Sequence, residues 1–177
     1  MSAKSLNAIS LTGVSASLAK AIGIEPPQQA EASIVALDHL VEKTAKGGKV
    51  DRIFMYNPDA VALWIFEKYA PLFTPVMLNT SVTLPLQSVM PSVTPVCFGT
   101  MYTGAQPAVH GIRKYEKPVI KIDSIFDAAL RAGKKCAIVS YGKASLSNIF
   151  LEREMDYFTY DTIAEVNAKA AEVILSD

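Results

Sequence analysis

Apolar residues recur at helical spacing in "QAEASIVALDHLVEKTAKGG". Ile34, Leu37, Leu40 and Val41 form one stripe there, and Gly47-Gly48 stops it. Upstream, "SLNAISLTGVSASLAKAIGI" has mixed helical spacing and ends at Gly23 and Pro26-Pro27, which predicts one or two short helices. Downstream the period changes. Ile53 to Tyr56 is a short apolar run that reads as a buried strand, Asn57-Pro58-Asp59 as its turn, and Ala60 to Tyr69 as a helix with Leu63, Trp64 and Phe66 facing inward.

The segment "VMLNTSVTLPLQSVMPSVT" is rich in β-branched and apolar residues and is broken by Pro85, so part of it is expected to be extended. A helix follows from about Pro95 to Tyr102, closed at Gly104. "IDSIFDAALRAGKK" predicts a helix with Ile122, Ile125, Phe126 and Leu130 inside and Gly133 as its stop. "CAIVSYG" reads as a second buried strand, "YFTYD" as a third, and "TIAEVNAKAAEVILSD" as a final amphipathic helix. Strands alternating with helices across short connections predict an α/β fold, a mostly parallel central sheet flanked by helices. Residues 1–49 read as an N-terminal helical segment and 50–177 as the α/β domain. The chain stops on a helix where this pattern calls for another strand, so the domain reads as truncated.

Composition narrows the partners. Half of the 177 residues are hydrophobic, and 17 Lys and Arg balance 17 Asp and Glu without a long run of one sign. That argues against a nucleic-acid polymer or an anionic membrane as partner. No apolar run approaches the roughly 20 residues that span a bilayer. The opening residues lack the apolar core of a secretory signal. Two cysteines in apolar contexts, Cys97 and Cys136, suit buried thiols in a reducing compartment, and the expected location is the cytoplasm.

Candidate chemistry collects around two helix starts. Asp59 falls just past the expected end of a strand, in a turn that opens a helix, where a carboxylate caps the helix or holds a divalent cation. Pro95 suits a first helical position, which makes Thr94 the expected N-cap. The positive pole of the helix there favours a bound phosphate and an ionising hydroxyl, although a threonine hydroxyl needs activation, for instance by a metal, before it attacks. Lys143 and Ser145 in "SYGKASLSN" follow a strand, but their spacing is not that of a phosphate-binding loop, and a polar turn is the plain reading.

The stretch "PSVTPVCFGTMYTGAQPAVHGI" resembles the nucleophile segment of the alkaline phosphatase superfamily, in the branch of nucleotide pyrophosphatases, type I phosphodiesterases and phosphonoacetate hydrolases. The matching positions are Pro91, Ser92, Thr94, Thr103, Gly104, Pro107, His110, Gly111 and Ile112, and the resemblance runs from about Val50 to Ser140. It implies an alkaline-phosphatase-like sheet and a two-zinc site that hydrolyses a small phosphodiester or pyrophosphate. In that site Thr94 is the nucleophile and a metal ligand, Asp59 binds the metal that also binds Thr94, and His110 is a structural turn residue.

The chain departs from the family pattern at several places. The turn reads Asn57-Pro58-Asp59-Ala60 instead of Asp-Gly, which leaves Asn57 as a second ligand candidate. Tyr115 stands where a phosphate-contacting asparagine is expected, so Tyr115 or Lys114 is a substrate-binding candidate as well as a solvated loop residue. Cys97 stands where relatives often carry Asn and reads as a small buried side chain. With two histidines in all, His110 and a helix-surface His39, the chain offers no second half of a zinc ligand set. The alternative expectation is a non-catalytic α/β module that forms a homo-oligomer or needs a second chain to complete its site.

Overall fold

The sequence's helical and strand periods are realised most fully in its second half. The structure, a computed structural model, describes residues 9–176. Residues 5–8 of the first expected helical stretch and the terminal Asp177 lie outside them. In chain order the elements are α1 (Gly13–Ile22), α2 (Val35–Thr44), α3 (Leu63–Lys68), α4 (Thr74–Met77), α5 (Thr94–Thr103), α6 (Pro107–His110), α7 (Ile125–Arg131), β1 (Ala137–Tyr141), α8 (Ser145–Ile149), β2 (Asp156–Tyr160) and α9 (Ile163–Leu175). Short 3₁₀ turns cover Lys46–Gly48 and Ala70–Phe73. The architecture is mixed α/β, mostly helical, with a two-stranded parallel sheet.

That sheet pairs β1 with β2 in the register Ala137↔Asp156 to Tyr141↔Tyr160. The connection between them passes through α8, and α9 packs back on both strands. Helix α7 begins with a reciprocal cap. The Ser124 hydroxyl accepts from the Asp127 N–H, and the Asp127 carboxylate accepts from the Ser124 N–H. This satisfies two of the donors that a helix start leaves without intrahelical partners.

The main core joins Ala19 of α1, Val96 and Tyr102 of α5, Ile125 of α7, Ile138 of β1 and Ile149-Phe150 at the end of α8. Tyr102, Phe126 and Phe150 meet ring to ring at its centre, with centroids 5.1 to 5.6 Å apart. A smaller cluster of Leu11, Val14 and Ile34 sits between α1 and the start of α2 and takes in Met55 and Leu84.

Helix α5 packs tightly on its neighbours. A Cβ at Gly99 would lie 2.8 Å from the His110 ring, and one at Gly104, whose φ is +73°, would lie 2.5 Å from the Ala30 methyl. Arg153 is held in a buried polar knot. Its guanidinium meets the Asp127 carboxylate at 3.0 Å and the carbonyls of Ile120, Ile122 and Leu151, so the charge enters the interior paired and hydrogen-bonded.

The region between 50 and 86 differs from the sequence expectation. Ile53 to Tyr56 joins no ladder, and Phe54 and Tyr56 are exposed. Leu63 and Trp64 of α3 face outward as well, while Phe66 is half-buried against the Phe73 ring at 5.1 Å. A buried parallel strand needs neighbours on its edges and cover on its faces. Among the described residues β1 and β2 pair only with each other, and the backbone at Val50 donates to the Ala21 carbonyl instead of to a strand. Among the described residues no helix is long and apolar enough to cross a membrane.

Two substitutions test this packing. Gly99→Ala should destabilise by about 1–3 kcal/mol, because the added methyl meets the His110 ring. Ser124→Ala should cost about 1 kcal/mol through loss of the cap. Urea unfolding midpoints measure both.

Candidate functional site

The site is built where the 55–60 turn lies beside α5. Met55 is drawn into the smaller apolar cluster. Two residues on, the Asn57 side-chain amide donates to the Tyr102 hydroxyl at 2.7 Å. After another two residues, Asp59 accepts the Ala60 N–H at 2.8 Å, and Ala60 itself takes φ +58°. That left-handed backbone is one a glycine adopts without strain, and alanine occupies it at a cost.

Thr94 lies 35 residues further along the chain, and its hydroxyl donates to both oxygens of Asp59, at 3.2 and 3.4 Å. The structure therefore brings these two candidates into direct contact. Helix α5 starts one residue earlier than the sequence suggests. Val93 is its cap, and the Cys97 N–H donates to the Val93 carbonyl at 3.0 Å. Thr94 and Pro95 are thus the first two helical residues, and the Thr94 hydroxyl reaches across to the turn instead of capping its own helix. The pair sits at the positive pole of a ten-residue helix, whose first N–H groups have no intrahelical partner.

The other end of α5 is fixed in the core. Tyr102 is 3% exposed and stacks on Phe126, and burial pushes its phenol up to about 12. The Asn57 amide is the hydrogen-bond partner of that phenol. Nothing in periodicity or composition marked Tyr102. Its only signal was a position eight residues, about two turns, after Thr94 on one helix.

His110 lies behind the helix. Its Nδ1 accepts the Ile112 N–H at 3.3 Å, so the proton resides on Nε2, which donates to the Thr100 hydroxyl at 3.1 Å. Burial lowers its pKa to about 4, and it is a neutral turn residue. His39 is exposed on α2. Cys97 is half-buried against both apolar clusters, and burial raises its thiol.

The remaining candidates lie apart from the Thr94–Asp59 contact. Lys114 pairs with Glu116 at 3.3 Å, and Tyr115 is exposed beneath the Lys117 ammonium. Neither hydrogen-bonds Thr94 or Asp59. Ser145 is buried at the start of α8, and the Lys143 carbonyl accepts from the Lys117 ammonium at 2.6 Å. A surface groove of about 490 Å³ opens on another face. Three ion pairs line it, Arg131 with Asp123, Lys121 with Glu152 and Arg153 with Asp127.

The donor set does not make a zinc centre by itself. A catalytic zinc draws three protein ligands. Among the described residues no group of three His, Cys, Asp or Glu is placed to hold a metal ion, and Asp59 with Thr94 supplies one carboxylate and one hydroxyl. No protein-family model, curated protein or solved structure matches the chain.

Two measurements probe this geometry. Ala60→Gly should stabilise the fold by about 1 kcal/mol, read from the denaturation midpoint, because it relieves the left-handed strain. His110 is held neutral below its ordinary pKa of 6.5, so its stabilisation is complete above that pH and is lost as pH falls through about 4. Stability of the wild type should therefore fall across that window more steeply than that of His110→Gln, by up to about 1.4 kcal/mol per pH unit.

Proposed function

We propose that the chain carries the nucleophile half of a metal-dependent phosphoryl hydrolase acting on a small phosphodiester or pyrophosphate. The observation that carries this reading is the hydrogen bond from the Thr94 hydroxyl to the Asp59 carboxylate at the start of α5. Asp59 draws the hydroxyl proton towards itself, which raises the nucleophilicity of Oγ1. The first-turn N–H groups of α5 face the charge that gathers on the phosphoryl oxygens. Attack of Thr94 Oγ1 on phosphorus forms a phosphothreonine and expels the alcohol or phosphate leaving group, and water then cleaves the phosphothreonine. Lys114 and Tyr115 are the candidates for contacting the substrate's far side.

Two zinc ions belong to this reading by resemblance, and ligands beyond Asp59 and Thr94 would have to come from groups other than the described residues. The same reading places β1 and β2 in a larger, alkaline-phosphatase-like parallel sheet. The unpaired thiols of Cys97 and Cys136 suit a cytoplasmic setting.

A second reading rests on a different observation. Between residues 53 and 90 the side chains of Trp64, Leu72, Leu78 and Met90 are 61 to 80% exposed. Apolar surface of that extent favours a module that self-associates or pairs with a second chain.

Hydrolysis of an aryl phosphodiester in the presence of zinc should be lost in Thr94→Ala, and mass spectrometry should find phosphate on Thr94 of the wild type. Hydrolysis by Thr94→Ala at the wild-type rate would eliminate the nucleophile assignment. Sedimentation should show concentration-dependent association, and a monomer at every concentration would remove the second reading.

A further inference from the structure

The geometry points to Asn57 as a positioning residue, which acts through the Tyr102 hydroxyl to hold Asp59 against Thr94. This rests on the phosphoryl-transfer reading for its purpose, although the tether itself is a matter of structure alone. Asn57 was a ligand candidate from its place in the turn. Its side chain is otherwise engaged, with the amide nitrogen 2.7 Å from the Tyr102 hydroxyl and 3.4 Å from the Met55 carbonyl.

Four positions form a closed circuit. Thr94 and Tyr102 stand on one helix, eight residues and about 12 Å apart along its axis. Asp59 and Asn57 stand two residues apart on the turn. One hydrogen bond joins Asn57 to Tyr102 and another joins Asp59 to Thr94. Asp59 is exposed, so its place beside the hydroxyl depends on what fixes the turn. Met55 anchors the turn on one side by apolar contact, and Asn57 anchors it on the other by a directed bond.

The Tyr102 hydroxyl is a firm anchor, because its ring is packed against those of Phe126 and Phe150 in the centre of the core. A hydrogen bond to such a group transmits the position of the core to the turn, whereas a bond to a mobile surface side chain would not. The bond is also directional, which apolar contact at Met55 is not. It therefore sets which way the carboxylate two residues later points.

The test uses Asn57→Ala, Tyr102→Phe and the double variant, with amide hydrogen exchange followed residue by residue. Tyr102→Phe removes one oxygen that touches neither Asp59 nor Thr94. Each single variant should speed exchange at Ala60 by roughly three- to tenfold, and the double variant should add little beyond either. Exchange within α5 should stay as in the wild type. A normal Ala60 amide in Tyr102→Phe would overturn the tether, as would a uniform rise along α5, which signals general loosening.

Aryl phosphodiester hydrolysis supplies the second arm. Both single variants should lower kcat by a similar factor and leave KM unchanged. A loss in Asn57→Ala without a loss in Tyr102→Phe would make Asn57 a direct contact and overturn the proposal. Should the wild type hydrolyse nothing, the phosphoryl-transfer reading fails, and the exchange measurement still decides the tether.

Discussion

The stacked ring of Tyr102 is the fixed point from which the rest of the molecule is placed. It lies at the junction of α5, α7 and the end of α8, the elements that enclose the main core. Its flat approach to Phe126 and its tilted approach to Phe150 bring these elements together through one side chain. Because the phenol oxygen meets Asn57, the same residue that closes the core also reaches the edge of the candidate site. Burial of this kind makes ionisation of the phenol costly, and the group is retained as a neutral hydrogen-bonding partner.

A second constraint acts on α5. Gly99 has no side chain, and His110 fills the space a Cβ would occupy. The imidazole in turn gathers the Thr100 hydroxyl and the Ile112 N–H, so the chain that leaves α5 and passes through α6 is bound back onto the helix it left. Helix α5 is thereby held on two faces, by aromatic packing and by a buried histidine. Its N-terminal end is free to present Thr94 to the turn. The proposed role of Thr94 as a nucleophile calls for rigidity behind the hydroxyl and openness in front of it.

Legibility in the sequence followed the range of the interactions. Helix α7 could be read because its apolar stripe and its glycine stop lie within a dozen residues. The parallel pairing of β1 with β2 could be read from two apolar runs separated by a crossover. The run from Ile53 to Tyr56 could not, since the same four residues suit a covered strand or a bare segment, and only distant neighbours decide which. The same holds for Leu63 and Trp64, whose helical spacing says nothing about whether another element lies over them. In the site, Thr94 and Asp59 were paired by resemblance, and the contact between them joins residues 35 apart. Asn57 and Tyr102, 45 apart, carried no local sign that they would meet.

The outward-facing stretch has an optical consequence. Trp64 is the chain's single tryptophan, and its indole stands 61% exposed among the apolar side chains that the core leaves uncovered. All indole fluorescence of the protein therefore arises from that one surface, bathed in water and unmixed with any signal from the interior. Whatever comes to rest on that surface, whether another molecule of the same chain or a different one, would shift the emission to shorter wavelengths and shield it from a dissolved quencher.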